Sequence, residues 1–364
     1  MASALAEGWR RARPDDELLL APLADGGEGT LAAIEAAGGW QRRTARTETA
    51  IGRPIEAAWL ATSDGTRAVV EMARASGLSL VPPEERDVLK AWTLGTGQLL
   101  RAVLDAGIGD VILGIGGSAT TDGGSGILVA LGARLEAASD PTGDPAPALD
   151  LLFALERVDL SGLDPRLRAT RLRIACDVSN PLLGPTGAAA TYGPQKGADP
   201  EMVEVLDGML ADWADALEAA TGRRERERPG AGAAGGVGFG LLCLRDRFAS
   251  LDLEPGVELV MGATGFAEKL ARADIVITGE GRIDAQTSFG KTALGVARKA
   301  ATARVRCIAV GGGVEPDGVA ALAAIGAMAV PVHERPIPVE EAIGLGAAPL
   351  VACGERLARA EAPT

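Results

Sequence analysis

The stretch that most constrains what this chain can fold into is Asp110 to Gly126, DVILGIGGSATTDGGSG. An apolar, β-branched run (Val111, Ile112, Leu113, Ile115) passes into glycine, serine, threonine and one carboxylate. Apolar spacing that suits a helix resumes over Ile127 to Leu131. Strand, glycine turn and helix in that order make the phosphate-holding corner of an α/β protein. Glycines let the backbone come close to a ligand, successive amides point inward, and the helix start adds a partial positive charge. Ligand-less glycine turns also follow many strands, so the motif needs support from elsewhere in the chain.

Other predicted strands end in the same way. Glu17 to Leu23 reads as a buried strand running into ADGGEGT (Ala24 to Thr30) and a helix over Leu31 to Ala37. Leu172 to Cys176 ends at Asp177 in CDVSNP, and Ala273 to Thr278 ends in GEGRID with Glu280, Arg282 and Asp284. Each tip joins small residues to an acid, the composition that holds Mg²⁺ with one or two carboxylates while amides bind phosphates. Lys196 in GPQKG and Lys291 in FGKT stand beside glycine, where a lysine places a point charge on a phosphate or carboxylate. Phosphoryl transfer fits this set best.

Competing motifs are weaker. GIGGSA, Gly114 to Ala119, satisfies the loose dinucleotide fingerprint, and Glu136 follows at roughly the expected 20 residues. That leaves an NAD-dependent dehydrogenase of a small hydroxy acid as an alternative, although the residues after it are too polar and glycine-rich for the helix required. FGKT resembles the end of a P-loop, but Ala285 stands where its first glycine belongs. There is no G-x-S-x-G, and the single histidine, His333, supports neither a hydrolase triad nor a multi-histidine zinc site.

Composition narrows the partners. A formal charge of −13 and 3% aromatic residues argue against nucleic acid and anionic membranes. Neither a signal peptide nor a long apolar span is visible, so the expectation is a cytoplasmic protein acting on small molecules, with a homodimer left open. Cys176, Cys243, Cys307 and Cys353 lack CxxC spacing and read as reduced and structural.

Between the strand tips, Ser3 to Ala12 predicts a helix, and Arg42 to Met72 predicts hairpins. Thr93 to Ala106 predicts a helix, Ala137 to Ala148 an exposed loop, and Asp199-Pro200 the cap of another helix. RRERER, Arg223 to Arg228, reads as solvated surface. PGAGAAGGVGFG, Pro229 to Gly240, reads as a flexible linker or a lid. Val305 to Val310 and Met328 to Val332 read as strands, with a helical tail over Val339 to Ala360.

In this order the motifs resemble the bacterial glycerate kinase family that is not built on a P-loop. The matching stretches are PLADGGEGT, EMARASGLSL, LGTGQLL, GIGGSATTDGGSG, CDVSNPLLGPTGAAATYGPQKGA, PGAGAAGGVGFG and ITGEGRIDAQTSFGKTALGVA. The resemblance implies ATP-dependent phosphorylation of D-glycerate with Mg²⁺ and leans to the 2-phosphate product. It also implies two α/β/α domains around a cleft. A discontinuous flavodoxin-like domain would take residues 1–45 and 286–364, with a Rossmann-like domain, 46–285, inserted between them. Family members open with a strand and an Asp-Ser-Phe-Lys-Gly loop, whereas this chain begins inside the helix that comes next. It therefore reads as lacking that strand and loop, and an inactive truncated kinase is a further alternative. Thr121 stands where the family usually has asparagine.

The site expected on these grounds has Gly116, Gly117, Ser118, Ala119, Thr120 and Lys196 on the nucleotide phosphates. Asp177 orients the metal or accepts the hydroxyl proton, with Asp25 and Asp122 as rivals; Asp25 and Asp177 are also the candidate metal ligands. Lys291 is a further catalytic candidate. Glu280, Arg282, Asp284 and Lys291 would hold the glycerate carboxylate or the transferring phosphate.

Overall fold

A computed structural model describes residues 1–137, 152–284, 292–333, 335 and 337–361. Lys291, the expected boundary at 285/286 and nearly all of the predicted loop Ala137 to Ala148 lie outside the described residues. The chain divides into two compact units, Met1–Ala24 with Val260–Thr364, and Asp25–Leu259.

The middle unit is built on a six-stranded sheet. Its strands are β1 (Trp40–Glu48), β2 (Pro54–Thr62), β3 (Arg67–Glu71), β4 (Asp110–Gly114), β7 (Arg171–Ala175) and β8 (Ser250–Glu254), in the order β1-β2-β3-β4-β7-β8. β1, β2 and β3 pair antiparallel, as the turn signals at Gly52 and Asp64-Gly65 require, while β3, β4, β7 and β8 run parallel. Val111, Ile112 and Leu113 of β4 are all buried, the signature of a strand covered on both faces. β5 (Arg134–Ala137) and β6 (Leu155–Asp159) form a separate antiparallel pair.

The unit made from the two ends of the chain has a parallel sheet in the order β11-β10-β9. Its strands are β9 (Ile275–Ile283), β10 (Arg306–Val314) and β11 (Met328–Pro331). Its first helix, Ala2–Ala12, lies against the last, Ala348–Ala360. Gly8 and Gly354 permit the approach, since a Cβ at either would meet a backbone oxygen of the other helix at 1.8 and 2.2 Å. Leu5 and Trp9 join Ile308, Val310, Cys353 and Leu357 in this core.

Four expectations are corrected. Glu17 to Leu23 is irregular and half-exposed, and pairs with no strand among the described residues; the Leu20 carbonyl instead accepts the Lys269 ammonium at 2.9 Å. GEGRI continues β9 instead of turning away from it, because β10 extends far enough to pair Gly311 with Glu280 and Gly313 with Arg282. Pro229 to Gly240 is neither linker nor lid. It leads into the helix Ala233–Cys243, which is almost wholly buried. RRERER is only partly solvated: Glu225 is buried against Arg223 and Arg228, and Arg226 reaches the buried Glu218 at 2.9 Å.

Candidate active site at three parallel strand ends

The carboxyl ends of β3, β4 and β7 lie side by side, and ADGGEGT is laid across them. The Gly26 carbonyl accepts the Gly116 N–H at 3.2 Å, and a Cβ on Gly116 would lie 2.5 Å from the Gly27 Cα. A Cβ on Gly26 would meet the Ala175 Cβ at 2.3 Å. Backbone can pass this close only where side chains are absent. Glu71, the fully buried last residue of β3, anchors the crossing segment by accepting the N–H groups of Gly29 (3.2 Å) and Leu31 (2.8 Å). A carboxylate there also complements the start of the helix Thr30–Ala37.

The Asp177 carboxylate and the Asp25 main chain both approach Gly256 at this end of the sheet, and the Asp25 carboxylate accepts the Gly27 N–H at 3.4 Å. The Gly256 N–H donates to Asp177 Oδ1 at 3.0 Å, and a Cβ on Gly256 would lie 1.9 Å from the Asp25 carbonyl oxygen and 3.0 Å from Asp177 Oδ2. Asp177 touches solvent yet is crowded by protein. Loss of water pushes its carboxyl pKa up to about 6; the Gly256 N–H opposes the rise and the Asp25 charge adds to it. The Asp25 charge is near enough to act on Asp177, and a pair of acids at one strand end suits a hard dication. No group of three or more potential ligands occurs among the described residues, so Mg²⁺ here would take Asp25 and Asp177 and leave its other positions to phosphate oxygens and water.

The glycine loop between β4 and the helix Ser125–Ala130 is held from within. Asp122, fully buried, accepts five donors: the N–H and hydroxyl of Thr93 (2.9 and 2.7 Å), the N–H groups of Gly124 (3.2 Å) and Gly126 (3.1 Å), and the Ser125 hydroxyl (3.2 Å). Its oxygens are thereby turned inward. Gly123 donates its N–H to the Gly235 carbonyl at 3.0 Å and accepts the Trp213 indole N–H at 3.1 Å. A Cβ on Gly235 would lie 2.0 Å from the Thr120 oxygen, so the buried glycine-rich helix is the platform on which the loop rests.

Of the residues expected to meet phosphate, Gly116 and Gly117 are accessible, whereas Ser118, Ala119 and Thr120 are buried. The Ala119 N–H is used by the Ser76 carbonyl (2.9 Å), and Leu78 N–H takes the Gly117 carbonyl (2.8 Å). Lys196 does not offer its charge outward. It is enclosed, with Nζ donating to the Thr120 carbonyl at 2.6 Å.

Glu280, Arg282 and Asp284 belong to the other unit. They alternate along and just beyond β9, which puts them on one face of that strand. Arg282 pairs there with Glu315 and, at 3.7 Å, with Asp284. The dinucleotide reading of GIGGSA fails on geometry. Its helix begins only at Ser125, and Glu136 sits on β5, exposed and paired with Arg157 at 2.8 Å. Sequence reasoning passed over Glu71 and Gly256. Glu71 carried a usable signal, an acid closing the apolar strand AVVE; the contact of Gly256 with two distant aspartates had none.

A model of the glycerate kinase family matches residues 1–361. The chain is 47% identical over 312 residues to the glycerate kinase of Halalkalibacterium halodurans, covering 85% of this chain and 80% of that one. It is 42% identical over 318 residues to the glycerate 2-kinase of Escherichia coli K12, covering 87% and 82%. A crystal structure from Salmonella typhimurium LT2, titled as that of a "putative glycerate kinase 2", superposes with a TM-score of 0.82 at 40% identity, covering 98% of this chain and 92% of that one.

Proposed function

Because this chain belongs to the glycerate kinase family, we propose that it transfers the γ-phosphoryl group of ATP to D-glycerate and yields 2-phosphoglycerate. The observation that carries the reading is the meeting of Asp25, Asp177 and the accessible Gly116-Gly117 turn at adjacent parallel strand ends. Ligands of open parallel sheets bind at that end of the strands. The glycerate 2-kinase among its relatives supports the 2-phosphate.

Phosphoryl transfer asks a protein mainly for positioning and charge neutralisation. The glycerate 2-hydroxyl oxygen forms the new bond to the γ-phosphorus while the bond to the ADP oxygen breaks. Asp177 is ionised at neutral pH and takes the hydroxyl proton. The Gly116-Gly117 turn, between Ala73 and Glu28, brings backbone to the surface at Gly117, where a phosphate can approach it. Asp25 and Asp177 would hold Mg²⁺, which when bound neutralises phosphate charge. Asp122 is proposed as the residue that shapes the loop, its oxygens being engaged by five internal donors.

The test is turnover and product identity in purified Asp177→Asn and Asp25→Asn. Each is expected to lower kcat at least about a hundredfold, the loss typical of a catalytic group. NMR of the wild-type product after incubation with ATP, Mg²⁺ and D-glycerate should show phosphate on the second carbon. Near-normal turnover removes the mutated residue from the scheme, and 3-phosphoglycerate refutes the product assignment.

A further inference from the structure

The inner side of the glycine loop carries a titratable group that the scheme above leaves without a part. Lys196 ends the turn Pro194–Lys196, is 2% exposed, and donates from Nζ to the Thr120 carbonyl at 2.6 Å. An ammonium has three protons to donate, and among the described residues no second acceptor takes one. The hydroxyls of Thr120 and Thr121 are likewise buried without a partner. Asp122 is the charged group that acts on Lys196, and it favours the ammonium. Asp199 faces away, capping the Met202 N–H at 2.8 Å, and Arg86 approaches the adjoining Gly197 only through its Cβ and backbone oxygen.

We infer that Lys196 is a positioning residue for nucleotide binding: its ammonium braces the glycine loop from behind through the Thr120 carbonyl, and the loop accepts ATP phosphates while that proton is held. Two physical effects act together. The hydrogen bond, charge-assisted and enclosed, fixes the backbone just beyond Gly117. The buried charge also lies where water cannot screen it, so its field reaches the outer face of the turn. Losing the proton weakens both. Burial draws the lysine pKa down to about 7, with Asp122 resisting the fall, so protonation changes across the neutral range. The inference rests on the proposed reading of the Gly116-Gly117 turn as a phosphate site.

The experiment is calorimetric ATP affinity of the full chain between pH 6 and pH 9, for wild type, Lys196→Met and Lys196→Arg, with kcat at saturating substrates. The wild type should weaken at least about tenfold toward alkaline pH, the size of one charge-assisted hydrogen bond. Lys196→Met should bind at the weak alkaline level throughout. Lys196→Arg, whose charge does not titrate, should stay near the wild-type acid value. The loss should fall on KM for ATP and not on kcat. Wild-type affinity in Lys196→Met, or one shared pH profile in all three proteins, overturns the inference. If the variants do not fold, the wild type carries the test alone. At pH 8, above the titration of the nucleotide phosphate near 6, binding in two buffers of different ionisation heat must show proton uptake, and none refutes the role of Lys196. A wild type that binds no ATP at any pH sinks the phosphate reading and this inference together.

Discussion

Asp177 illustrates at the residue scale how a site and a fold can ask opposite things of one side chain. Crowding and the Asp25 charge hold its pKa near 6, whereas an unfolded aspartate titrates near 3.9. Between those values the folded chain keeps a proton that the unfolded chain has released, so stability from this group falls as pH rises through that window. Asp177→Asn should therefore be at least as stable as wild type at pH 8, although its turnover is lost; a marked fall in its Tm would contradict this. Lys196 has the reverse sign. Its folded pKa near 7 lies below the unfolded value of about 10.4, so the unfolded state binds the extra proton across that interval. Raising pH from 7 to 10 should therefore stabilise wild type relative to Lys196→Met, measured by denaturant unfolding at each pH.

Among the elements, the helix Ala233–Cys243 decides most about the site without touching it. Gly240 lies in its helical part, and a Cβ there would sit 2.4 Å from the Gly123 oxygen, a backbone atom with nowhere to go. Alanine is the better helix former by about 1 kcal/mol, but overpacking costs about 1–3 kcal/mol or more. Gly240→Ala should thus lose stability overall and weaken ATP binding with it. Gly208→Ala is the matched control. It lies in the helix Pro200–Thr221 with open space beside it, and should gain about 0.5–1 kcal/mol. Equal effects from the two changes would show that contact with the loop is unimportant. Asp122→Ala removes the acceptor of three buried N–H groups, each costing about 1–3 kcal/mol when stranded. It should destabilise by more than about 3 kcal/mol in chemical unfolding.

For the whole molecule, the four cysteines report on the two units separately. Cys243 is buried in the middle unit, Cys307 and Cys353 are buried in the other, and Cys176 is half-exposed. Burial raises the pKa of all four thiols, which disfavours the reactive thiolate, so access decides which of them reacts. In the native protein a thiol reagent should modify Cys176 alone, and the others should react only as their own unit unfolds. Rapid native modification of Cys243 would refute the packing described for its helix. Much of this architecture was legible in local pattern. Short apolar runs located β4, β7 and β10, turn pairs located the antiparallel β1 to β3, and Asp199-Pro200 located its helix, because each depends on neighbours in the chain. Asp177 at the end of β7 was legible for the same reason, whereas Asp25 follows no strand and Glu280 lies within β9. What needed the folded chain was the partner of each group. Glycines 229–240 read alike as linker or packed helix, since only a neighbouring backbone at 2.0–2.4 Å explains the missing side chains. A lysine beside glycine can face solvent or core, and Lys196 was placed by the Thr120 carbonyl 76 residues away. Sequence by itself settled the parallel α/β corner and its acidic, glycine-rich strand ends, because periodicity and turn chemistry are local. Tertiary structure alone decided that Asp177 and the Asp25 main chain both pack on Gly256, that Asp122 is turned inward and that Lys196 is enclosed, because burial and pairing arise between residues distant in the chain.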